Sequence, residues 1–402
     1  MSLKSGYTIV GINYWPEPTG NAPYNTDLAE ELAKFSDVTV IAGVPHYPWW
    51  KRQNAHDDLG YSASHPGLRL VRRNHFVPRG KSNLLRAVME ITFGFNVILS
   101  GKLKGPKIIL VSPAMLSSAI AMFWLKLTNP TSKTLVWVQD LYEQGLLEIK
   151  QASRISSTII SAIEDWLLRT ADQVVVAHPA FLAAKKIEQG RADKFLAIPN
   201  WTQFAFSPTE KANITRERYE VGEAKLVLHI GNMGVKQGLE NVIEAARLAH
   251  EGKAEIQFMF VGGGNQLERL ENASMGLSNV RFLPPVSESE LSNLLQAADV
   301  LLVNEMLGVK EMSFPSKLTT YLIAGRPVLV CSDKESLAGR TVAENGIGHW
   351  VQSGRPIELL KKIESLDLEG SIDMVSNARE FARDNLSKES SLSKFLETLQ
   401  KL

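Results

Sequence analysis

Two periods alternate along this chain, and that alternation constrains its fold more than any single motif does. Short apolar runs, of the kind that form strands covered on both faces, are separated by stretches long enough for a helix, and the series occurs twice. The first series places strands at Thr8–Ile12, Val38–Ala42, Ile108–Val111, Thr134–Val138 and Gln173–Val176. The second places them at Lys225–Ile230, Gln257–Val261, Val280–Leu283, Val300–Val303 and Pro327–Cys331. Helices are expected between them, for example over Asn25–Phe35, Ile155–Thr170, Leu239–His250, Glu288–Ala297 and Lys317–Ile323. Strands separated by helices lie parallel, with the crossing helices laid over the sheet.

The sequence therefore reads as α/β, with two Rossmann-like domains whose parallel sheets face each other across a cleft. The pattern lapses at Pro199–Pro208 and on to about Gly222. An N-terminal domain is expected over 1–205 and a C-terminal domain over 206–375. A charged helical tail over 376–402 is expected to pack back toward the N-terminal domain. In such folds ligands bind beyond the carboxyl ends of the strands.

A formal charge of only +1 excludes a histone-like polycation and a polyanion. The balance fails locally. Between Arg69 and Lys107 nine Lys/Arg stand against one acid, Glu90, and the mostly apolar Leu84–Leu99 lies among them. This segment reads either as a core helix between solvated loops or as a patch for an anionic membrane surface or an acidic substrate. No groove-reading module accompanies it, so nucleic acid is not an expected partner. The single cysteine, Cys331, lies in an apolar strand run and excludes both a disulfide framework and a cysteine metal site. Ile108–Leu125 is uncharged for 18 residues, but Ser112, Pro113, Ser117 and Ser118 break it into a strand, a turn and a helix near Leu116–Leu127. The N-terminus lacks the apolar core of a signal peptide, so a cytoplasmic location is expected.

Four stretches carry possible chemistry. His229-Ile-Gly-Asn-Met-Gly-Val-Lys-Gln-Gly238 joins a strand to a helix. It is either a tight turn or a diphosphate cradle, with Lys236 adding a full charge to the helix start. It is neither Gly-x-Gly-x-x-Gly nor a P-loop. Phe314-Pro-Ser-Lys-Leu-Thr-Thr320 opens a helix. That helix is either simply well capped, or the N–H groups of Ser316 and Lys317 hold a phosphate while Thr319 and Thr320 offer free hydroxyls on its first turn. Phe260-Val-Gly-Gly-Gly264, including Gly263, suits close approach to a backbone. In the first series, Tyr14–Asn21 forms a strand-to-helix loop containing Gly20 and Asn21. Asp140 at a strand end suits hydroxyl binding, base work or helix capping, and the aromatics and His46 of Pro45–Trp50 look exposed enough to stack on a sugar ring. The eight histidines show no metal-ligand spacing.

Gly231-Asn-Met-Gly-Val-Lys-Gln-Gly238, Val261-Gly-Gly-Gly264, Pro315-Ser-Lys-Leu318 and Ala324-Gly-Arg-Pro-Val328 together resemble family 4 glycosyltransferases of the GT-B fold. Tyr14-Trp-Pro-Glu-Pro-Thr-Gly20, Pro45-His-Tyr-Pro48, Gln139-Asp-Leu-Tyr142 and Ile198-Pro-Asn-Trp201 look like the colanic acid biosynthesis branch. The resemblance implies retaining transfer of a sugar from a nucleotide-diphosphate sugar to a hydroxyl of a lipid-linked or oligosaccharide acceptor. It places Gly231, Asn232, Lys236 and Gln237 at the diphosphate or sugar, Ser316 and Lys317 at the phosphates, and Leu283-Pro-Pro-Val286 beside the base. Gly20, Asn21 and Asp140 would serve the acceptor. No cofactor or metal is implied, because cations and helix N-termini would neutralise the leaving group. Such an enzyme is expected to sit peripherally on the inner face of the cell membrane.

Most family members carry two glutamates with seven residues between them, and those places fall here on Met312 and Thr320. Glu311 and Glu305 are the nearest acids, and ribose binding could pass to Thr319, Thr320 or Lys317. Two other readings fit the same sequence: a nucleotide-sugar 2-epimerase of this fold, and a non-catalytic two-domain binding protein.

Overall fold

The structure, a computed structural model, describes residues 6–53, 58–78, 83–112, 115–139, 154–177, 194–309 and 316–402. The chain divides into two compact units, Met1–Asn200 with Ser391–Leu402, and Trp201–Ser390.

In the first unit the strands are β1 (Tyr7–Gly11), β2 (Val38–Gly43), β3 (Leu68–Arg73), β4 (Lys107–Ser112), β5 (Lys133–Val138), β6 (Gln173–Val176) and β7 (Phe195–Ala197). They hydrogen-bond in the order β3-β2-β1-β4-β5-β6-β7, and every neighbouring pair is parallel. The helices are α1 (Ala22–Ala33), α2 (Asp58–Ser64), α3 (Asn83–Leu99), α4 (Met115–Thr128) and α5 (Arg154–Thr170). Ile108 to Leu110 on β4 and Leu135 to Val138 on β5 are fully buried, which explains their unbroken apolar character.

The second unit carries β8 (Lys225–Asn232), β9 (Ile256–Gly263), β10 (Val280–Leu283), β11 (Val300–Asn304), β12 (Val328–Ser332) and β13 (His349–Gln352). Its order is β10-β9-β8-β11-β12-β13, again parallel. The helices are α6 (Ala212–Arg218), α7 (Glu240–Glu251), α8 (Leu267–Ala273), α9 (Glu288–Ala297), α10 (Ser316–Ala324), α11 (Leu337–Asn345), α12 (Pro356–Ser365) and α13 (Ile372–Asn385). Successive residues of β8 supply opposite faces. Leu226 and Leu228 pack with Leu322 of α10, while Val227 packs with Val242 of α7. The order reverses between β8 and β11, and such a reversal opens a crevice at the carboxyl ends of the two strands.

Three features depart from expectation. The division falls after Asn200 rather than after residue 205. The expected single tail helix is two helices, α13 in the second unit and α14 (Lys388–Lys401) largely in the first. There Phe395 meets the Trp137 ring edge-on at 4.6 Å and Ser391 Oγ donates to the Pro199 carbonyl. Finally, three of the nine cations of 69–107 are engaged within the first unit. Arg72 donates to Asp58 and to the carbonyls of Gly43 and Trp15, Lys107 donates to the Leu399 carbonyl, and Arg86 lies 4.9 Å over the Trp50 ring. Arg79 and Lys81 lie outside the described residues. Among the described residues no helix is long and apolar enough to cross a membrane.

Candidate active site

At the carboxyl end of β8 the chain runs through Gly231 and Asn232, then turns through a single 3-10 turn, Val235–Gln237, into α7. This loop is held from both sides. Asn232 pairs with Gly263 across the β8–β9 ladder, and Met233 N–H donates to the Gly263 carbonyl at 2.8 Å. From β11, Asn304 Nδ2 donates to the carbonyls of Gln237 and Gly238, and Met306 N–H donates to that of Lys236. Gln237 Oε1 accepts from Gly234 N–H at 3.1 Å. The glycines let the two loops touch: a Cβ on Gly262 would stand 2.2 Å from the Gly231 carbonyl oxygen. Gly263, by contrast, faces open space.

Helix α10 starts beside this loop. The side chain of Lys317 passes over Gly231, where an added Cβ would be 3.9 Å from its Cε. Its Nζ lies 3.4 Å from Nε2 of His229, a fully buried histidine whose Nδ1 lies 3.2 Å from the Leu302 carbonyl. With the hydrogen assigned to Nδ1, which faces the Leu302 carbonyl, Nε2 accepts from lysine; the ring also hydrogen-bonds the Asn232 backbone. Burial, then the Lys317 charge, holds the imidazole well below its ordinary 6.5, so it is neutral. Tyr321, one helical turn on, accepts from Ile230 N–H at 2.8 Å and ties α10 to β8. Burial raises its phenol well above 10.

Gly231, Asn232, Lys236, Gln237, Gly263 and Lys317 therefore meet at the ends of β8 and β9 and the start of α10. Others of the expected set stand apart. Thr319 is buried at 7% exposure and Thr320 is half-buried, and neither is without a partner, so free hydroxyls are not what α10 presents. Val286 packs half-buried after β10, two strands from β8. Ser316 opens α10, while Glu311 and Met312 lie outside the described residues. Glu305 follows β11 and is 3% exposed. His229, Tyr321 and Asn304 were not singled out from the sequence. Each is a polar residue inside an apolar run, which is the signal that marks them.

In the first unit, Gly20 and Asn21 lead into α1. Gly20 adopts φ +67°, with a would-be Cβ 3.2 Å from the Tyr47 ring. Asn21 sits at the helix start without capping it through its side chain. His46 is not exposed as expected: it is 1% exposed, with Nδ1 3.1 Å from the Val44 carbonyl. The cause is Glu17, itself 4% exposed, whose Oε1 accepts from the N–H groups of His46 and Tyr47. Of this stretch Trp49 is the exposed aromatic. Asp140 lies outside the described residues. Its neighbour Gln139 is buried and accepts from Asn200 at 2.7 Å, so two of the recognised motifs meet. Among the described residues no group of three or more His, Cys, Asp or Glu is placed to hold a metal ion.

Both units match known families. Residues 211–384 match Glycosyl transferases group 1, and residues 19–201 match Glycosyl transferase 4-like domain. Together the two matches span most of the chain, which is a glycosyltransferase. Over 410 aligned residues the enzyme is 29% identical to WcaI of Escherichia coli, a protein named for colanic acid biosynthesis glycosyl transfer, covering 98% of this chain and 99% of that one. It is 24% identical to WbjE of Pseudomonas aeruginosa, named as a glycosyltransferase, over 80% of each. Among solved structures, HepE of Anabaena in complex with UDP and glucose superposes at TM-score 0.71 and 16% identity, covering 99% of this chain and all of that one. Sucrose-phosphate synthase of Thermosynechococcus elongatus superposes at TM-score 0.72 and 17% identity, covering 99% of each. The transferase thus has the GT-B fold.

Proposed function

We propose that the transferase moves a sugar, with retention, from a UDP- or GDP-sugar to a hydroxyl of a lipid-linked or oligosaccharide acceptor during surface polysaccharide synthesis. The observation that carries this reading is Lys317, at the start of α10, passing over the glycine-lined end of β8, with Lys236 in the turn that follows that strand. In the reaction the bond from the anomeric carbon to the diphosphate breaks, a bond to the acceptor oxygen forms, and the hydroxyl proton goes to a base. The two lysines and the N–H groups of Ser316 and Lys317 would meet the charge growing on the leaving diphosphate. Gly231, Asn232, Gln237 and Gly263 would face diphosphate or sugar, and Val286 the base. Thr320 is left for the ribose, since Thr319 is buried. Asp140 is proposed as the base, with Gly20 and Asn21 toward the acceptor; His46 would act only by shaping that loop from behind. Colanic acid synthesis in the name of WcaI and UDP with glucose in the HepE complex support the substrate classes.

The test is a panel of UDP- and GDP-sugars incubated with and without a lipid-linked acceptor. A glycosylated acceptor and free nucleoside diphosphate, formed only when both substrates are present, are expected. Conversion of the nucleotide sugar without acceptor would instead identify a 2-epimerase, and binding without any turnover a ligand-binding protein.

A further inference from the structure

Two loops of the first unit leave the carboxyl ends of neighbouring parallel strands: residues 12–21 follow β1 and residues 44–53 follow β2. The sheet order reverses between β1 and β4, so the first loop borders the crevice that such a reversal opens. Each loop is also tied down locally. Asn25 Nδ2 of α1 donates to the Asn13 carbonyl at 2.8 Å, and Trp15 N–H donates to Thr26 Oγ1 at 3.1 Å. In the second loop Gln53 N–H donates to the Pro45 carbonyl at 2.8 Å.

One buried carboxylate joins the two. Glu17 Oε1 accepts from the N–H groups of His46 and Tyr47 at 2.7 and 2.9 Å, and Oε2 accepts from Asn13 Nδ2 at 2.8 Å. Among the described residues no lysine or arginine forms an ion pair with it. The His46 ring, 3.3 Å away, is no counter-charge, since burial holds it below its ordinary 6.5. Burying a carboxylate without a cation is costly, and its three N–H donors offset that cost only while both loops hold their places. Arg72 bridges the same loops nearer their roots, at the carbonyls of Trp15 and Gly43, so they stay attached there without Glu17. What Glu17 sets is the outer part. Gly20 turns against the Tyr47 ring, Trp50 meets that ring edge-on at 5.7 Å, and Trp49 beside it is exposed.

We infer that Glu17 is a positioning residue for the acceptor: it keeps the turn at Gly20 and Asn21 and the aromatic stretch 47–50 together as one acceptor surface. Buried behind both loops, it touches no substrate itself. The inference rests on the reading that the acceptor lies at these loops. It carries a split with it, because loss of the clamp disturbs the acceptor and leaves the donor loop of the second unit alone.

The experiment compares Glu17→Leu and Glu17→Gln with wild type in the full chain. Leucine gives the two N–H groups no acceptor. Glutamine still does, with Oε1 facing both while Nε2 donates to the Asn13 amide turned over. Hydrogen exchange of residues 13–21 and 44–53 should be faster in Glu17→Leu and close to wild type in Glu17→Gln. The transfer assay uses a short-chain polyprenyl diphosphate-linked monosaccharide as acceptor. Its kcat/KM should fall about tenfold to a hundredfold in Glu17→Leu and recover in Glu17→Gln. Calorimetric affinity for UDP or GDP should match wild type in both. Should Glu17→Leu not fold, Asn13→Ala removes only the partner of Oε2 and should lower the same acceptor value by a smaller factor. The inference is overturned if exchange of the two loops is unchanged or if the acceptor value does not fall. It is also overturned if donor affinity falls alongside, which marks a general loss of structure. A wild type that binds UDP or GDP yet transfers to no acceptor overturns the proposed function, and this inference with it.

Discussion

Nζ of Lys317 lies 3.4 Å from Nε2 of His229, so a neutral, buried imidazole holds the ammonium over Gly231. Hydrogen bonds to a charged group contribute about 1.5–3 kcal/mol. His229→Leu should therefore weaken binding of UDP or GDP by roughly tenfold to a hundredfold, read by calorimetric titration. His229→Gln offers a carbonyl oxygen in place of Nε2 and should recover much of the affinity. Equal affinity in wild type and His229→Leu would remove histidine from any positioning role.

Lys236 adds its charge from the 3-10 turn that Asn304 and Met306 fasten to β11. If it meets the departing diphosphate, its interaction is strongest in the transition state. Lys236→Ala should then lower kcat by about 10²–10³, the scale for losing one oxyanion donor, with a smaller change in KM. Steady-state transfer assays with the donor that turns over decide this, and an unchanged kcat counts against the assignment.

Adjacent glycines make opposite predictions. A Cβ at Gly262, where φ is +136°, would stand 2.2 Å from the Gly231 carbonyl oxygen, so Gly262→Ala should cost about 1–3 kcal/mol or more of stability. Gly263 has open space in front of it, so Gly263→Ala should leave the thermal midpoint unchanged. The new methyl would instead stand where the diphosphate or sugar is proposed to lie, and donor affinity should fall. A Gly263→Ala enzyme with normal affinity would place the donor elsewhere.

The parallel sheets were legible because buried strands carry unbroken apolar runs, as in Ile108 to Leu110 and Leu135 to Val138. Leu68–Arg73 was not, since β3 is an edge strand and carries three arginines. The donor loop was legible from its glycines and Lys236. His46 was misjudged because its burial depends on Glu17, 29 positions away in sequence, accepting from its backbone. The role of His229 was hidden for a similar reason: it follows from a lysine 88 positions distant. Local pattern finds loops that approach a ligand with their backbone. Side-chain partnerships across crossovers leave no such trace.

The first unit also fixes a direction for the effect of pH on stability. His75 packs edge-on against His46 at 4.8 Å, and burial, then the His46 neighbour, pushes it down to about 4. Unfolded, it takes a proton near 6.5; folded, it does not until about 4. Between those values the unfolded chain holds the extra proton, so stability is lost as pH falls through that window. Burial shifts His46 and His229 the same way. Glu17 opposes them: burial raises its carboxyl above 4.5, so just above that value the folded state holds the extra proton and gains stability as pH falls. His349 is lowered by burial too, so among the described residues four histidines stand against this carboxyl, and the thermal midpoint should drop steadily from about pH 7 to about pH 5. His75→Asn, which cannot titrate there, should flatten the curve. A wild-type midpoint that is level across this range would mean that these histidines are not held neutral by the fold.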